Sequence, residues 1–323
     1  MTEAHPSDSP LDAVSAGERA TEAFELLGNE TRLAILVALW ESYEPFDEER
    51  AVRFSELRER VGTADSGRFN YHLDRLEGHF VASNDEGYRL TEAGLVFVRS
   101  VIAGAGIEDP TLEPSEVDQP CGVCGAAAEV SYENGWVYVR CTECAGLWTD
   151  GDGGDGHLAK FSLHPAGLVD RTPEEIYAAA WVRTFQKQYS MIEGVCPVCT
   201  ARVERTLDVC DDHDPDGTCP NCGRRNRTIA RMRCTVCKEW IQTTVGGLVK
   251  YHPGIVGFCY DRGLKLQYGP NDLASIMGRM GRTSLGVELL SENPPRVGVT
   301  TELDGDTFRL EIDEDLTVVG VER

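Results

Sequence analysis

Cys121-Gly122-Val123-Cys124, a spacer of 16 residues, and Cys141-Thr142-Glu143-Cys144 form the stretch on which the fold turns. Within the spacer, Val130, Tyr132, Trp136 and Tyr138 alternate around Glu133-Asn134-Gly135. Alternation with period two marks strands, and Asn-Gly between them marks a tight hairpin. A hairpin that draws two Cys-x2-Cys turns together offers four thiolates to one tetrahedral Zn2+, the arrangement of a zinc ribbon. Two redox dithiols would instead need helix starts in a βαβ context, which the flanking sequence does not supply.

Toward the C-terminus the pattern returns in a richer form. Cys196-Pro197-Val198-Cys199 precedes the alternating stretch Val203 to Val209, and a second stretch, Thr228 to Cys234, runs into Cys234-Thr235-Val236-Cys237. Where the first ribbon has its turn, this one has Cys210, His213, Cys219 and Cys222, itself a full set of three thiolates and one imidazole. Eight ligands imply two more sites, three structural Zn2+ in all. A nested arrangement is favoured, an outer four-cysteine ribbon with a second zinc at its tip. Sequential pairing (196/199 with 210/213, 219/222 with 234/237) and an interleaved cross-brace are the alternatives. Cys259 stands outside the five pairs and reads as a buried small residue.

Both ribbons have similar followers. Phe161-Ser162-Leu163-His164-Pro165 and Val249-Lys250-Tyr251-His252-Pro253 each precede a helical stretch, Thr172 to Ile192 and Gly254 to Gly263. This reads as a duplicated ribbon-plus-helix unit in which His-Pro opens a helix rather than binding metal. Beyond them, Val297 to Glu302, Phe308 to Ile312 (around Asp304-Gly305-Asp306) and Leu316 to Val321 predict a small antiparallel sheet.

Toward the N-terminus there is no cysteine before Cys121. Gly104 to Pro120 carries five acidic residues and no aromatic or basic one, and reads as an acidic linker. Before it, apolar residues recur at helical spacing from Thr21 to Trp40, with Asn29 as an N-cap, and again over Phe54 to Val61, where Ser55 is a candidate cap. A third helix, Ser66 to Glu77, has Phe69, Leu73 and Leu76 as its buried stripe. Two short strands, Phe80 to Ser83 and Gly87 to Leu90, and a last helix, Thr91 to Ile102, complete the unit. Helix, helix, turn, helix, hairpin, helix is a winged helix-turn-helix layout.

The stretches Phe24 to Leu36, Tyr71-His72-Leu73-Asp74-Arg75-Leu76 and Tyr88-Arg89-Leu90-Thr91-Glu92-Ala93-Gly94 resemble the ArsR-like winged-helix transcriptional regulators, in the same order and spacing. Residues 121–323 resemble the zinc-ribbon C-terminal region of haloarchaeal regulators of that class. The resemblance implies that the third helix enters the major groove of double-stranded DNA and that the hairpin touches the neighbouring backbone or minor groove. On this reading Arg68 pairs with guanine and Asn70 with adenine, while Ser66, Tyr71, His72, Arg75 and Arg89 complete the contact set. The competing reading is a solvated helix face on a protein-interaction domain, because Asp65, Asp74 and Glu77 offset the two arginines. A homodimer is expected from the class, through the Leu95/Val98/Ile102 stripe or residues 21–40. The metal-sensing members carry cysteines in this unit; this one has none.

Charge frames the rest. There are 54 Asp+Glu against 31 Lys+Arg, a net −23, and only five of the basic residues are Lys. Such a balance ordinarily opposes binding to another polyanion. It also keeps a protein soluble where salt shortens the Debye length to ~3 Å. Acid-rich, lysine-poor chains resemble proteins of salt-in halophilic archaea, so the charge is read as solvent adaptation. Against it, Arg224, Arg225, Arg227, Arg231 and Arg233 fall with Lys238 in a run without an acidic residue. That run is either a phosphate-binding patch or an internal match to the acidic Asp211 to Asp216 loop.

No apolar run approaches the ~18 residues of a membrane span, and no basic-then-apolar leader opens the chain. A cytoplasmic protein without membrane contact is expected. No Gly-rich phosphate loop, Gly-x-Ser-x-Gly or His-Glu-x-x-His motif is present, so no enzyme is expected. The resulting expectation is a multidomain α+β chain: a disordered 1–17, a winged helix at 18–103, the linker 104–120, a first ribbon plus helix at 121–192, a two-site unit plus helix at 193–270, and a helix with a small sheet at 271–323. The function expected is a DNA-binding transcriptional regulator whose zinc module senses an effector, dimerises or meets the transcription machinery. A non-enzymatic adaptor of that machinery, or RNA binding by the ribbons and the arginine run, are the other readings.

Overall fold

The computed structural model describes residues 25–47, 50–104, 109–149, 154–263 and 284–323. The expectation for 1–17 lies outside the described residues, as does any helix in 271–283. The chain divides into two compact units, Met1–Ile107 and Glu108–Arg323.

The first unit runs α1 (Glu30–Glu41), α2 (Phe54–Val61), α3 (Ser66–Leu76), β1 (Val81–Asn84), β2 (Gly87–Leu90) and α4 (Glu92–Ile102). Side-chain oxygens start three of the helices: Asn29 accepts from Arg32 N, Asp65 from Gly67 N and Arg68 N, and Thr91 from Gly94 N. The start of α2 differs from expectation. Its N-cap is Arg53, with no side-chain bond, and Ser55 lies inside the first turn. Ile35, Leu36, Leu39, Leu57, Phe69, Leu73, Leu76, Val81, Leu90, Leu95 and Val98 bury together as one core. Leu95 and Val98 are thereby spent inside the unit and are not free to dimerise; Ile102 and Val96 keep the exposed side of α4.

Two glycines are required by close approach. Val52 exchanges two backbone hydrogen bonds with Tyr88 (2.8 and 2.9 Å), adding a one-residue third strand to the β1–β2 hairpin. A Cβ on Gly87 would stand 2.3 Å from the Val52 carbonyl oxygen, and Gly87 also has a φ of 150°. A Cβ on Gly94 would stand 2.2 Å from the Phe80 oxygen, so a bare backbone lets α4 lie on the hairpin.

The second unit contains three antiparallel sheets. The first has the order β3 (Leu112–Pro120), β4 (Ala127–Glu133), β5 (Trp136–Cys141), β6 (His157–Ser162). The linker expected at 104–120 is therefore mostly an edge strand. Val117 packs inward while Glu113, Glu116 and Asp118 face water, and acidic side chains on an edge deter pairing with other chains. Asn134 and Gly135, with φ of 51° and 80°, make the tight turn between β4 and β5. Val130, Tyr132, Val137 and Val139 pack on Ile176, Tyr177 and Ala180 of α5 (Pro173–Ile192), which Thr172 and Glu175 open with a reciprocal capping box.

The second sheet has the order β7 (Val203–Val209), β8 (Thr228–Cys234), β9 (Trp240–Thr244), followed by α6 (Val245–Val249) and α7 (Pro253–Tyr260). The third is β10 (Ser284–Glu292), β11 (Pro295–Leu303), β12 (Asp306–Ile312), β13 (Val318–Glu322). Val203, Leu207, Met232 and Ile241 share one core with Val297, Val299, Leu310 and Ile312, with Leu248, Ile255 and the buried Cys259 among them. The divisions expected at 193–270 and 271–323 thus fuse, because neither sheet has enough apolar surface to form a core alone. The two followers also differ from a strict duplication. His252 caps α7 through Nδ1, which accepts from Gly254 N (3.1 Å), whereas His164 opens only a 3₁₀ turn without a side-chain cap.

Candidate functional site

Among the described residues, three groups of side chains are placed to hold a metal ion: Cys121, Cys124, Cys141 and Cys144; Cys196, Cys199, Cys234 and Cys237; and Cys210, His213, Cys219 and Cys222. Within each group the ligand atoms lie within 4.8 Å of one another. All twelve cysteines are free of disulfides. The nested arrangement is the one observed, and the β7–β8 ladder explains it. Its seven pairs run without a break from Val203↔Cys234 to Val209↔Thr228. That register sets 196/199 beside 234/237 and leaves residues 210–227 to close on themselves at the far end. Sequential pairing or a cross-brace would break the ladder.

The sulfur positions suit a tetrahedral ion. Cys121–Cys144 and Cys124–Cys141 lie at 3.8 and 3.5 Å, and Cys196–Cys237 and Cys199–Cys234 at 3.5 and 3.4 Å. Metal–sulfur bonds of ~2.3 Å in a regular tetrahedron need edges of ~3.8 Å. At the tip, Cys222 Sγ is 3.6 Å from His213 Nδ1. No further protein ligand joins any group among the described residues, so each is a closed set of four.

Local backbone geometry decides which sulfur ionises first. Burial opposes charge on Cys141, yet the N–H groups of Cys144 and Glu143 hold its thiol at about 6. Cys234 is held at about 6 in the same way, against burial, by Val236 N and Cys237 N. Cys219 is held at about 6 by Asp214 N at 3.3 Å. Burial pushes Cys144 up to about 12 and Cys210 up to about 11, with neighbouring thiols adding to it. Four thiolates at this spacing coexist only around a cation.

The two ribbons meet at the tip site. Thr149 N donates to Gly223 O (2.7 Å) and Arg225 N to Leu147 O (3.0 Å), joining the segment after Cys144 to the segment after Cys222. Arg225 Nε adds a bond to Gly146 O (3.4 Å).

The arginine run is divided by this packing. Arg224 is 4% exposed and paired with Asp208 at 2.7 Å, so it cannot reach a phosphate. Arg225 is engaged in the seam, and Arg227 binds Glu292 (2.6 Å) and the Cys210 carbonyl. The internal charge match is real, but its carboxylates are Asp208 and Glu292 rather than the 211–216 loop. Only Arg231 and Arg233 present an exposed face of β8.

In the first unit, Ser66, Arg68, Asn70, Tyr71 and Arg75 lie exposed along α3, and Arg89 is half-buried on β2. His72 is the exception. At 6% exposure it belongs to the buried stripe, since positions 69, 72, 73 and 76 share one helix face. Burial and then the charges of Arg32 and Arg68 lower its pKa. Asn70 donates to Asp74 Oδ2 (2.8 Å) on the next turn, so a base must displace that bond to use the whole amide.

Residues 118–318 match the family model described as a domain of unknown function, DUF7351. The chain belongs to the DUF7351 family. The DUF7351 match runs through all three metal groups, α5 and most of the C-terminal sheet, in keeping with the single compact unit seen there. Residues 20–101 match a second domain of unknown function, DUF7347. No curated protein and no solved structure matches the chain. Among the described residues, no helix is long and apolar enough to cross a membrane.

One exposed residue of the DUF7351 region was missed by sequence reasoning. Trp240, at the start of the edge strand β9, is 57% exposed. Its alternation with Gln242, beside Arg231 and Arg233, is the signal that could have found it.

Proposed function

We propose that the chain is a DNA-binding transcriptional regulator, with an ArsR-like winged helix in its first unit and a Zn2+-stabilised, non-catalytic module in its second. The observation that carries the reading is α3. It is capped by Asp65, buries one stripe and turns Arg68, Asn70, Tyr71 and Arg75 to solvent, with the β1–β2 hairpin following it. Arg68 supplies a fork for guanine, Asn70 an amide for adenine, and Ser66, Arg75 and Arg89 phosphate contacts. His72 supports the helix from below. The closed sets of four donors suit structural zinc, whereas a catalytic zinc keeps a position open.

Leu33 and Val37 on α1, with Val96 and Ile102 on α4, are exposed apolar residues suited to a second copy of the chain. Exposed apolar side chains of this kind also favour a second reading, an adaptor that binds proteins of the transcription machinery.

The test is a genome-wide map of bound DNA in the native cytoplasm, comparing wild type with Arg68→Ala/Asn70→Ala. Discrete peaks lost in the variant are expected. Peaks that survive the variant, or that mark every promoter alike, would favour the adaptor; no enrichment would remove both DNA readings.

A further inference from the structure

Trp240, Gln242, Arg231, Arg233, Thr206 and Glu204 share the outer face of the β7–β8–β9 sheet toward its Cys234 end. The register sets Arg233 directly opposite Trp240 on one side and Glu204 on the other, and Arg231 opposite Gln242 and Thr206. The reverse face carries the apolar residues Val203, Leu207, Met232 and Ile241 into the core.

Three observations make this face unlike ordinary protein surface. The first is the indole of Trp240, a flat aromatic ring open to solvent on the same face as the two arginines. The second is two exposed arginines side by side on one strand, with carboxylates that leave them incompletely paired. Asp208 is shared by Arg224 (2.7 Å) and Arg231 (3.4 Å), one carboxylate for two guanidinium groups. Among the described residues, Arg233 makes no ion pair. The third is pre-organisation: Gln242 Oε1 accepts from Arg231 Nε at 3.1 Å, fixing that guanidinium across the strands.

We propose that this face binds single-stranded nucleic acid, stacking a base on Trp240 and holding the adjoining phosphates with Arg231 and Arg233. Stacking on an aromatic ring beside a basic groove is tolerant of sequence, because every base has a π-face. At high salt the net charge of −23 acts only over ~3 Å, so the local pair of arginines governs the encounter. Every residue of the site belongs to the second unit.

Full-length, metal-loaded protein is titrated with labelled oligothymidine and oligouridine of about 12 nucleotides, within the usual ~4–16 per binding fold, over a range of salt. Wild type is expected to bind at least one of them, and the ratio of the two assigns DNA or RNA. Trp240→Ala should weaken binding at least ~tenfold, while Trp240→Phe retains most of it. Arg231→Gln/Arg233→Gln should flatten the dependence of log K on log salt by roughly 1.4, at ~0.7 per lost contact. Glu204→Gln, which removes the carboxylate opposite Arg233, should tighten binding; single-strand binding lost in Arg68→Ala/Asn70→Ala but kept in Trp240→Ala would assign it to α3 and overturn the proposal. Each variant is checked for its metal content. Absence of binding at every salt concentration, or binding indifferent to Trp240→Ala, would overturn the proposal.

Discussion

His72 is held neutral by burial and by the charges of Arg32 and Arg68, and this gives the first unit a pH dependence with a definite sign. Its folded pKa lies below the unfolded value of ~6.5, so the unfolded chain binds more protons in acid. The stability this neutral imidazole permits is complete above ~6.5 and is lost as pH falls from there toward the folded value. His72→Leu should remove that slope, read as the urea midpoint of the helical unit between about pH 7.5 and 5.5. A slope that persists would place its origin elsewhere. A sharper loss is expected for Gly94→Ala, whose Cβ would meet the Phe80 oxygen at 2.2 Å. Overpacking against backbone should cost ~1–3 kcal/mol in denaturant unfolding of the same unit. The sequence made the buried stripe of α3 legible at Phe69, Leu73 and Leu76, but position 72 fits either edge of it. Only the packing of α3 on α1 assigns His72 to the inside, and Arg224 was opaque for a similar reason, its partner Asp208 being 16 residues away.

At the scale of elements, metal ligands were the most legible feature, because Cys-x2-Cys spacing is a local geometric demand. Their partition was not local: it follows from the ladder between β7 and β8. Strand β3 was hidden because its acidic side chains hide the alternation that Val117 completes. Removing one tip ligand tests the element directly. His213→Ala should lower bound metal from three ions per chain to two, measured by elemental analysis, with both four-cysteine groups still filled. The same variant should expose the amides of Thr149 and Arg225 to hydrogen exchange, since their acceptors lie across the seam from each other. Protection that survives in the variant would mean that the seam stands without the tip ion.

For the whole molecule, separate cores imply separate melting. A structural zinc contributes ~10–16 kcal/mol of apparent binding energy, far more than a small ribbon core supplies. Chelation at neutral pH should therefore release the amides of Val139 and Met232 to exchange while Leu36, Leu73 and Val98, in the other core, stay protected. Simultaneous loss of both sets would show that the units fold as one. The cysteine distribution separates a cysteine-free N-terminal part from the rest, but 108–120, read as linker, belongs to the second unit. The fusion of the second ribbon with the C-terminal sheet was not, because it depends on long-range contacts such as Leu207 N to Glu314 O (2.8 Å).

The nesting of the two sites on the β7–β8 hairpin also sets a timetable during synthesis. Ligand pairs emerge from the ribosome in the order in which brackets are opened, and the inner bracket closes first. Cys199 must wait for Cys234, 35 residues later, while His213 and Cys222 are only nine apart. At ~5–20 residues per second, the outer dithiol stays unmatched for about 2–7 s, several times longer than the inner one. An ion taken up during synthesis would therefore find the tip group complete first, and its capture there would hold the ends of β7 and β8 together before the outer cysteines meet.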